Sequence, residues 1–367
     1  MKNPLIDKWA KALVGYSVEV NPGQTVVITG HTAAEELLNA CAREVIDRGA
    51  YPVIWPLTEG VTPHLLQHGS DDQLAYLSPF EKFMRLEADV VINIRAETNT
   101  RRLNAVDPAR QRQYAAARNE LGAAFMRRAA DGELDWTLTL YPTDAYAQDA
   151  DMDTAEFTEF VMQAMKLDQD DPVAAWLELR EEQQRLIDWL AGKSEIHLTS
   201  PDTDLKVNVK DRVWVNSDGK RNFPSGEIFT GPVETSANGH IRFSFPVVTG
   251  GRRIEDIRLK FEDGKVVDAA ATKNEEYLIT TLDTDEGARY LGEFAFGTNF
   301  GIQQFIGNIL FDEKIGGTVH MALGRGYPET GSINVSAIHW DMICDLRQGG
   351  QITVDGELFQ KDGKFVV

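Results

Sequence analysis

The sequence predicts an α/β fold made of an N-terminal α/β domain with βαβ units and a C-terminal strand-rich α+β domain. Two observations support this prediction: an early strand–helix–strand pattern, and a change near residue 192 from mixed elements to alternating strands. The 367 residues are enough for two domains of ordinary size. We therefore predict domains over residues 1–192 and 193–367.

The first half reads as a βαβ unit followed by further strands. An apolar run from Thr25 to Thr29 predicts the first strand, a helix with one apolar face follows, and Pro52 to Trp55 predict the second strand. Further strands are predicted at 88–94 and 136–140, with a polar helix over 108–130 between them. Alternation of this kind is typical of α/β domains.

The second half follows a helix predicted over 173–190, which ends at Gly192 as helices commonly do. The strands beyond it alternate apolar and polar residues and are separated by turns such as Asp263-Gly264. They are predicted at 205–209, 213–215, 241–245 and 257–261. This half is therefore expected to be rich in strands.

Composition and charge limit the partners and the location. Asp and Glu total 57 against 37 Lys and Arg, and the net charge of -20 repels nucleic acid and anionic lipid, so neither partner is expected. The run from Phe294 to Phe311 is uncharged, but its amides and glycines indicate buried protein and not a membrane span. Residues 1–20 are charged and lack a secretory apolar core, and cysteines number only two. A cytoplasmic location is predicted.

Motifs for several other chemistries fail on inspection. Gly192-Lys-Ser194 resembles the end of a phosphate-binding loop, but Ile187 occupies the position of the required first glycine. His64 and His68 have the spacing of helical zinc ligands, yet no glutamate lies between them, so we interpret them as surface histidines. Neither a G-x-S-x-G elbow nor a cysteine-protease signature occurs. Metal-dependent chemistry is the hypothesis that remains.

Imidazoles and carboxylates in apolar segments of the second half indicate a metal site. His339 and Asp341 lie two apart in a predicted strand, so both project from one face. His320 and Glu293 lie in further apolar segments, where such groups need a partner, and Glu227 lies in a loop fixed by Gly and Pro. Taken one at a time, each could be a polar residue whose hydrogen bonds are made within the protein. Together they suit zinc, cobalt or manganese, and their oxygens can hold two ions if one carboxylate bridges them.

The motifs around these residues carry a family resemblance over nearly the whole chain. They are Pro224-Ser-Gly-Glu-Ile-Phe-Thr-Gly-Pro-Val-Glu234, Gly287-Ala-Arg-Tyr-Leu-Gly-Glu293, Gly317-Thr-Val-His-Met-Ala-Leu-Gly324 with Tyr327-Pro328, and Ile338-His-Trp-Asp341. They resemble the aminopeptidase T/aminopeptidase S family of metallopeptidases, M29. The resemblance implies that the metal ligands are Glu227, Glu293, His320, His339 and Asp341, and that Tyr327 is a catalytic group beside the metals.

The resemblance also implies an activity. It implies a metal-dependent aminopeptidase that hydrolyses the N-terminal peptide bond of peptides with a free N-terminus, through a water activated by two divalent ions, and it implies a homodimer. The C-terminal domain is then the catalytic metal-binding domain. Tyr327 would steady the oxyanion, and Glu234 and Glu293 are the candidates for moving the proton. The connection from Tyr327 to His339 is shorter than in some members.

Two alternatives stay open at this point. Relatives of the same fold include a mononuclear Fe(II) dioxygenase that opens the ring of 2,5-dihydroxypyridine, and its facial triad could be supplied by His320, His339 and Asp341. A peptide- or metal-binding protein without catalysis is the other alternative. The presence of Glu227 and Glu293 in intact motifs favours two metals and hydrolysis.

Overall fold

A computed structural model describes residues 3–249 and 252–367 of the chain. It divides into two compact units: unit 1 contains Met1–Val173 and Gly219–Phe223, and unit 2 contains Ala174–Asp218 and Pro224–Val367. The domain boundary at residue 192 stays a prediction. The compact units differ from it because Leu186 and Leu190, in the helix before that residue, belong to the core of unit 2.

Helices and strands alternate in unit 1, whereas strands predominate in unit 2. The helices are α1 (Pro4–Ala12), α2 (Glu35–Asp47), α3 (Val61–His68), α4 (Asp71–Ala75), α5 (Pro79–Leu86), α6 (Pro108–Ala116), α7 (Asn119–Ala130), α8 (Asp144–Asp149), α9 (Thr154–Ala164), α10 (Pro172–Leu190), α11 (Glu275–Leu282) and α12 (Ile309–Asp312). The strands are β1 (Thr25–His31), β2 (Tyr51–Leu57), β3 (Val90–Arg95), β4 (Asp135–Leu140), β5 (Glu195–Ser200), β6 (Thr203–Asn208), β7 (Val215–Ser217), β8 (Asn222–Phe223), β9 (Glu227–Thr230), β10 (Asn238–Phe243), β11 (Val247–Thr249), β12 (Arg252–Ile254), β13 (Ile257–Glu262), β14 (Lys265–Ala270), β15 (Leu291–Gly297), β16 (Thr318–Gly324), β17 (His339–Asp345), β18 (Gln351–Val354), β19 (Glu357–Lys361) and β20 (Lys364–Phe365).

Unit 1 is built on a parallel sheet whose described strands run in the order β2-β1-β3-β4-β8. The predicted βαβ unit is β1, α2 and β2, and α2 buries the apolar face that contains Leu37 and Val45. The polar helix predicted over 108–130 is two helices, α6 and α7. Arg118 lies at the break, where its guanidinium group donates to the carbonyl oxygen of Tyr114 and pairs with Glu81.

Unit 2 contains two larger antiparallel sheets among its described strands. The first has the order β14-β13-β10-β6-β5-β18-β19-β20, and the second has the order β17-β16-β15-β9-β7. Strand β13 alternates buried and exposed residues, as a sheet with one face on the core requires. The two sheets share a core in which the rings of Phe296 and Phe359 lie 5.1 Å apart.

The predicted fold class, α/β with a parallel-sheet region and a strand-rich second half, is confirmed. Strands β15 and β16 are buried along their whole length, so the second sheet of unit 2 is covered on both faces. Within the described ranges, no helix has both the length and the apolar character that crossing a bilayer requires.

Candidate metal centre

The second sheet of unit 2 brings the predicted ligands onto one face. Ala322 pairs across the sheet with both Glu293 and Asp341, and Ala295 pairs with His320. Because side chains of a strand alternate between the two faces, these register positions fix which face each ligand uses. The ligands lie at Glu227 on β9, Glu293 on β15, His320 on β16, and His339 and Asp341 on β17.

Small residues fill the positions between the ligands on this face. Ala295 and Ala322 lie between ligand-bearing positions, Gly297 pairs with Glu227, and Gly324 pairs with His339. A larger side chain at any of these positions would occupy the space into which the carboxylates and imidazoles project. The sheet therefore provides a shallow floor on which ligands from four strands converge.

A β-bulge at Gly292 turns Glu293 toward this face. Leu291 pairs with Leu323, whereas Glu293 pairs with Ala322, so β15 advances two residues while β16 advances one. In a regular strand Leu291 and Glu293 would point to the same face; the extra residue lets Leu291 enter the core while Glu293 enters the site. Glycine is required there because an added Cβ would clash with backbone carbonyl oxygens of the neighbouring strand end.

The structure corrects the local setting predicted for Glu227. The sequence predicts a loop, but Glu227 is the first residue of β9 and its backbone pairs with Gly297. The turn before it does require glycine: Gly226 has φ 114°, and an added Cβ would lie 2.6 Å from the Cβ of Asn299. Glycine and proline in this segment therefore mark the entry to a strand.

The five side chains form two triads that share one carboxylate. Glu227, Glu293 and His320 form one triad, and Glu293, His339 and Asp341 form the other, with ligand atoms within 4.8 Å of one another in each. One oxygen of Glu293 lies 3.5 Å from Nε2 of His320, and its other oxygen lies 3.1 Å from Nε2 of His339. Glu293 thus faces both triads at once.

The distances between the ligand atoms suit coordination of a divalent metal better than hydrogen bonding between the side chains. The imidazole Nε2 atoms lie 3.1 to 3.5 Å from the carboxylate oxygens, which is the separation of two ligands on one ion with bonds of about 2.1 Å. Oε2 of Glu227 and Oδ1 of Asp341 are buried without a hydrogen-bond partner in the described part of the chain. Nδ1 of His339 lies 2.7 Å from the carbonyl oxygen of Arg325, which turns Nε2 toward the carboxylates.

Opposed charges hold the centre together in the metal-free state. Burial disfavours the Glu293 carboxylate, but hydrogen bonds from His320 and His339 outweigh burial and lower its pKa to about 2. Burial likewise opposes the imidazolium forms, yet the neighbouring carboxylates raise the pKa to about 9 for His320 and to about 11 for His339. Both imidazoles must lose a proton to bind a metal, so metal ions and protons compete for this site.

Two further residues of the site were missed by sequence reasoning. Glu313 forms a third group of ligand atoms with His320 and Asp341. Lys314 is 1% exposed, and its ammonium group lies 2.5 Å from Oε1 of Glu227 and also contacts the carboxylate of Glu313. Burial raises the pKa of Glu313 to about 7, against the opposing effect of Lys314. No sequence signal distinguished them from surface charges, because they follow closely on the uncharged run that ends at Phe311, where charged residues usually mark a return to the surface.

Tyr327 lies beside the second triad. Its ring centroid is 5.0 Å from that of His339 and 5.4 Å from that of Phe229. Burial, followed by the nearby carboxylates, raises the pKa of Tyr327 above its usual value, so the hydroxyl group keeps its proton. Glu234, one of the two residues considered for moving the proton, pairs with Arg212 at 2.6 Å and accepts a hydrogen bond from the Ile333 N–H.

Comparisons with known proteins identify the family. A family model described as thermophilic metalloprotease (M29) matches residues 2–365. Aminopeptidase 2 of Geobacillus stearothermophilus is 30% identical over 98% of this chain and 95% of its own length, and aminopeptidase T of Thermus thermophilus is 26% identical over 88% and 85%. The chain belongs to the M29 family of metallopeptidases.

Solved structures support the fold of that family. AmpT from Thermus thermophilus superposes with a TM-score of 0.86 at 22% identity, covering 99% of each chain. A 2,5-dihydroxypyridine dioxygenase from Pseudomonas putida superposes with a TM-score of 0.59 at 15% identity, covering 100% of this chain and 98% of its own. At these identities the likeness concerns the fold alone. The predicted class of enzyme, a metallo-aminopeptidase, is confirmed by the family, which is one of metal-dependent hydrolases.

Replacing Lys314 tests whether its charge holds the metal-free centre. Lys314→Met is expected to lower the free energy of unfolding of the metal-free protein by about 3–5 kcal/mol, because the buried carboxylate of Glu227 and the largely buried carboxylate of Glu313 lose their counter-charge. The loss is expected to shrink at acidic pH, where protonated carboxyl groups need no counter-charge. Urea titration measures it, with Lys273→Met, which breaks a surface ion pair with Glu255, as the control expected to change stability by less than about 1 kcal/mol. Equal effects of the two variants would contradict this role.

Proposed function

We propose that this chain removes the N-terminal residue from peptides that have a free N-terminus, at a centre of two divalent metal ions. The observation that carries the proposal is the sharing of Glu293 by two ligand triads, with one oxygen toward His320 and the other toward His339. Two carboxylates, Glu227 and Asp341, complete the triads. Imidazole and carboxylate donors without thiolate suit zinc, cobalt or manganese.

Two divalent ions, when bound, supply Lewis acidity and lower the pKa of a water molecule. The residues of the chain orient the reactants around them. The three carboxylates and two imidazoles would hold the ions where the neutral N-terminal amine of a peptide binds, and the buried sheet floor limits access of bulk water. A substrate must therefore have a free amine at a fixed distance from the bond that is cleaved.

Glu313 is the group that we propose moves the proton. A general base works best when its pKa is near the working pH, and the pKa of Glu313 is about 7. Glu293, with a pKa of about 2, is suited to bridging and unsuited to carrying a proton. Glu313 accepts the proton of the attacking water and returns it to the departing amine. Lys314 holds both Glu313 and Glu227 and so orients the base relative to a ligand.

Tyr327 is proposed to stabilise the oxyanion. Two observations support this role: the ring of Tyr327 lies 5.0 Å from that of His339, and the raised pKa keeps its hydroxyl group protonated as a hydrogen-bond donor. The loop that follows Tyr327 is held by Glu234, which contacts Ile333 and Ser332. This anchoring limits the movement of the Tyr327 ring relative to the ligands.

The dioxygenase alternative is supported less well. A single iron in a facial triad of His320, His339 and Asp341 would use three of the five ligands and would leave Glu227 and Glu293 buried without a role. Homodimeric assembly and a cytoplasmic location stay predictions from the sequence and its family resemblance.

Blocked peptides test the exopeptidase activity. We expect a leucyl peptide with a free amine to be hydrolysed and its N-acetylated form to be hydrolysed at least about 100-fold more slowly, because the acetyl group removes the amine that is anchored at the centre. Liquid chromatography of the products from the metal-loaded enzyme measures both rates. Comparable rates, or cleavage inside a blocked peptide, would show a different reaction.

Substituting the tyrosine separates chemistry from metal binding. Tyr327→Phe removes only a hydroxyl group, so we expect unchanged metal content and a loss of about 100-fold to 1000-fold in kcat with a much smaller change in KM. His339→Ala is the comparison, since it removes a ligand and should lower metal content as well as rate. Retention of most activity by Tyr327→Phe would assign the ring a structural role only.

A further inference from the structure

A cavity of about 180 Å³ opens directly beside the second ligand triad. Its wall includes His339 and Asp341 themselves and Ile343, which follows them at two-residue spacing on the same face of β17. The lining also includes Val248 on β11 and Ile309 at the start of α12. The cavity is therefore continuous with the metal centre.

The surface of this cavity is largely apolar beyond the two ligands. Val247, Phe305 and Ile343 contribute side chains without polar atoms. The one further carboxylate in the lining belongs to Asp312, which is 1% exposed and accepts a hydrogen bond of 2.8 Å from the Ile306 N–H. This hydrogen bond ties the Asp312 carboxylate to the backbone of the preceding segment. The carboxylate is therefore not available as a counter-ion for a charged ligand.

We propose that this cavity receives the side chain of the substrate's N-terminal residue and selects an apolar side chain up to the size of leucine or phenylalanine. The inference rests on the proposed function. In an N-terminal residue the Cα atom is bonded both to the amine and to the carbonyl carbon that is attacked. Its side chain therefore starts within two bonds of both reacting groups, and its subsite must open at the metal ligands, as this cavity does.

The volume sets the size of the side chain. An apolar cavity of about 150 Å³ in another protein holds a benzene molecule, so a cavity of about 180 Å³ accommodates an isobutyl or benzyl group. Each methylene buried in such a pocket changes specificity by about 10-fold to 200-fold. A charged side chain would lose its hydration without gaining a partner.

The first test compares substrates on the metal-loaded wild-type enzyme. Hydrolysis of the 4-nitroanilides of glycine, alanine, leucine, phenylalanine, lysine and glutamate is followed by absorbance. We expect kcat/KM for leucine and phenylalanine to exceed that for glycine by at least about 100-fold, and those for lysine and glutamate to fall well below leucine. A preference for lysine or glutamate, or equal values for all six, would overturn the proposal.

The second test narrows the cavity from its exposed rim. Ile309 is 45% exposed, so Ile309→Trp can be introduced without disturbing the core, and its larger side chain should lower kcat/KM for leucine by at least about 10-fold while alanine changes by less than about 3-fold. Leu177→Trp is the matched control, because Leu177 is also helical and 43% exposed but does not line the cavity. A far-ultraviolet circular dichroism spectrum and a metal content equal to those of the wild type show that the variant is folded. An equal loss on both substrates, or no loss, would contradict the assignment.

A binding measurement separates failure of the subsite from failure of the proposed function. Calorimetry with the metal-loaded enzyme compares L-leucine with glycine, which share the amine and differ in the side chain. We expect tighter binding of leucine by at least about 10-fold, lost in Ile309→Trp. Selective binding of leucine without hydrolysis of any anilide would leave the subsite standing and reject the aminopeptidase activity. Hydrolysis without selective binding would reject the subsite and leave the activity standing.

Discussion

The structure of unit 2 depends on how the buried carboxylate of Glu293 is compensated. It is 4% exposed, and an isolated ion at such a position would be strongly disfavoured. Two imidazoles, one on β16 and one on β17, each approach a different oxygen of this carboxylate and lower its pKa. Bound divalent ions would take the place of these protons. A carboxylate between two cationic positions explains why ligands from separate strands converge on it.

The backbone meets this constraint through the register of the strands. The bulge at Gly292 places Leu291 in the core and Glu293 in the site, and alanine and glycine at the paired positions leave room above the sheet. Lys314 adds a buried positive charge on the far side of Glu227, so that one oxygen of that carboxylate is held while the other is directed to the centre. Packing, register and charge are therefore parts of one arrangement.

Much of this could be predicted from the sequence because it is local. The period of two in Ile338-His-Trp-Asp341 predicts one face for His339 and Asp341, and the strand–helix–strand pattern predicts the parallel sheet of unit 1. Glu313 and Lys314 could not be predicted in this way, because a charged pair after a short apolar segment usually marks a surface turn. Only the fold shows that the segment after α12 returns to the ligands. The strand role of Glu227 was likewise hidden by glycine and proline, which also occur in loops.

The number of metal ions per chain tests the central claim, that one carboxylate serves two ions, most directly. Mass spectrometric metal analysis after dialysis against metal-free buffer should give two ions for the wild type, one for Asp341→Ala, which removes a ligand of a single triad, and none retained for Glu293→Ala. Asp345→Ala, in the same strand but paired with Arg347 away from the ligands, is the control and should keep both ions. One ion in the wild type, or an ion retained at full occupancy after loss of Glu293, would contradict the account.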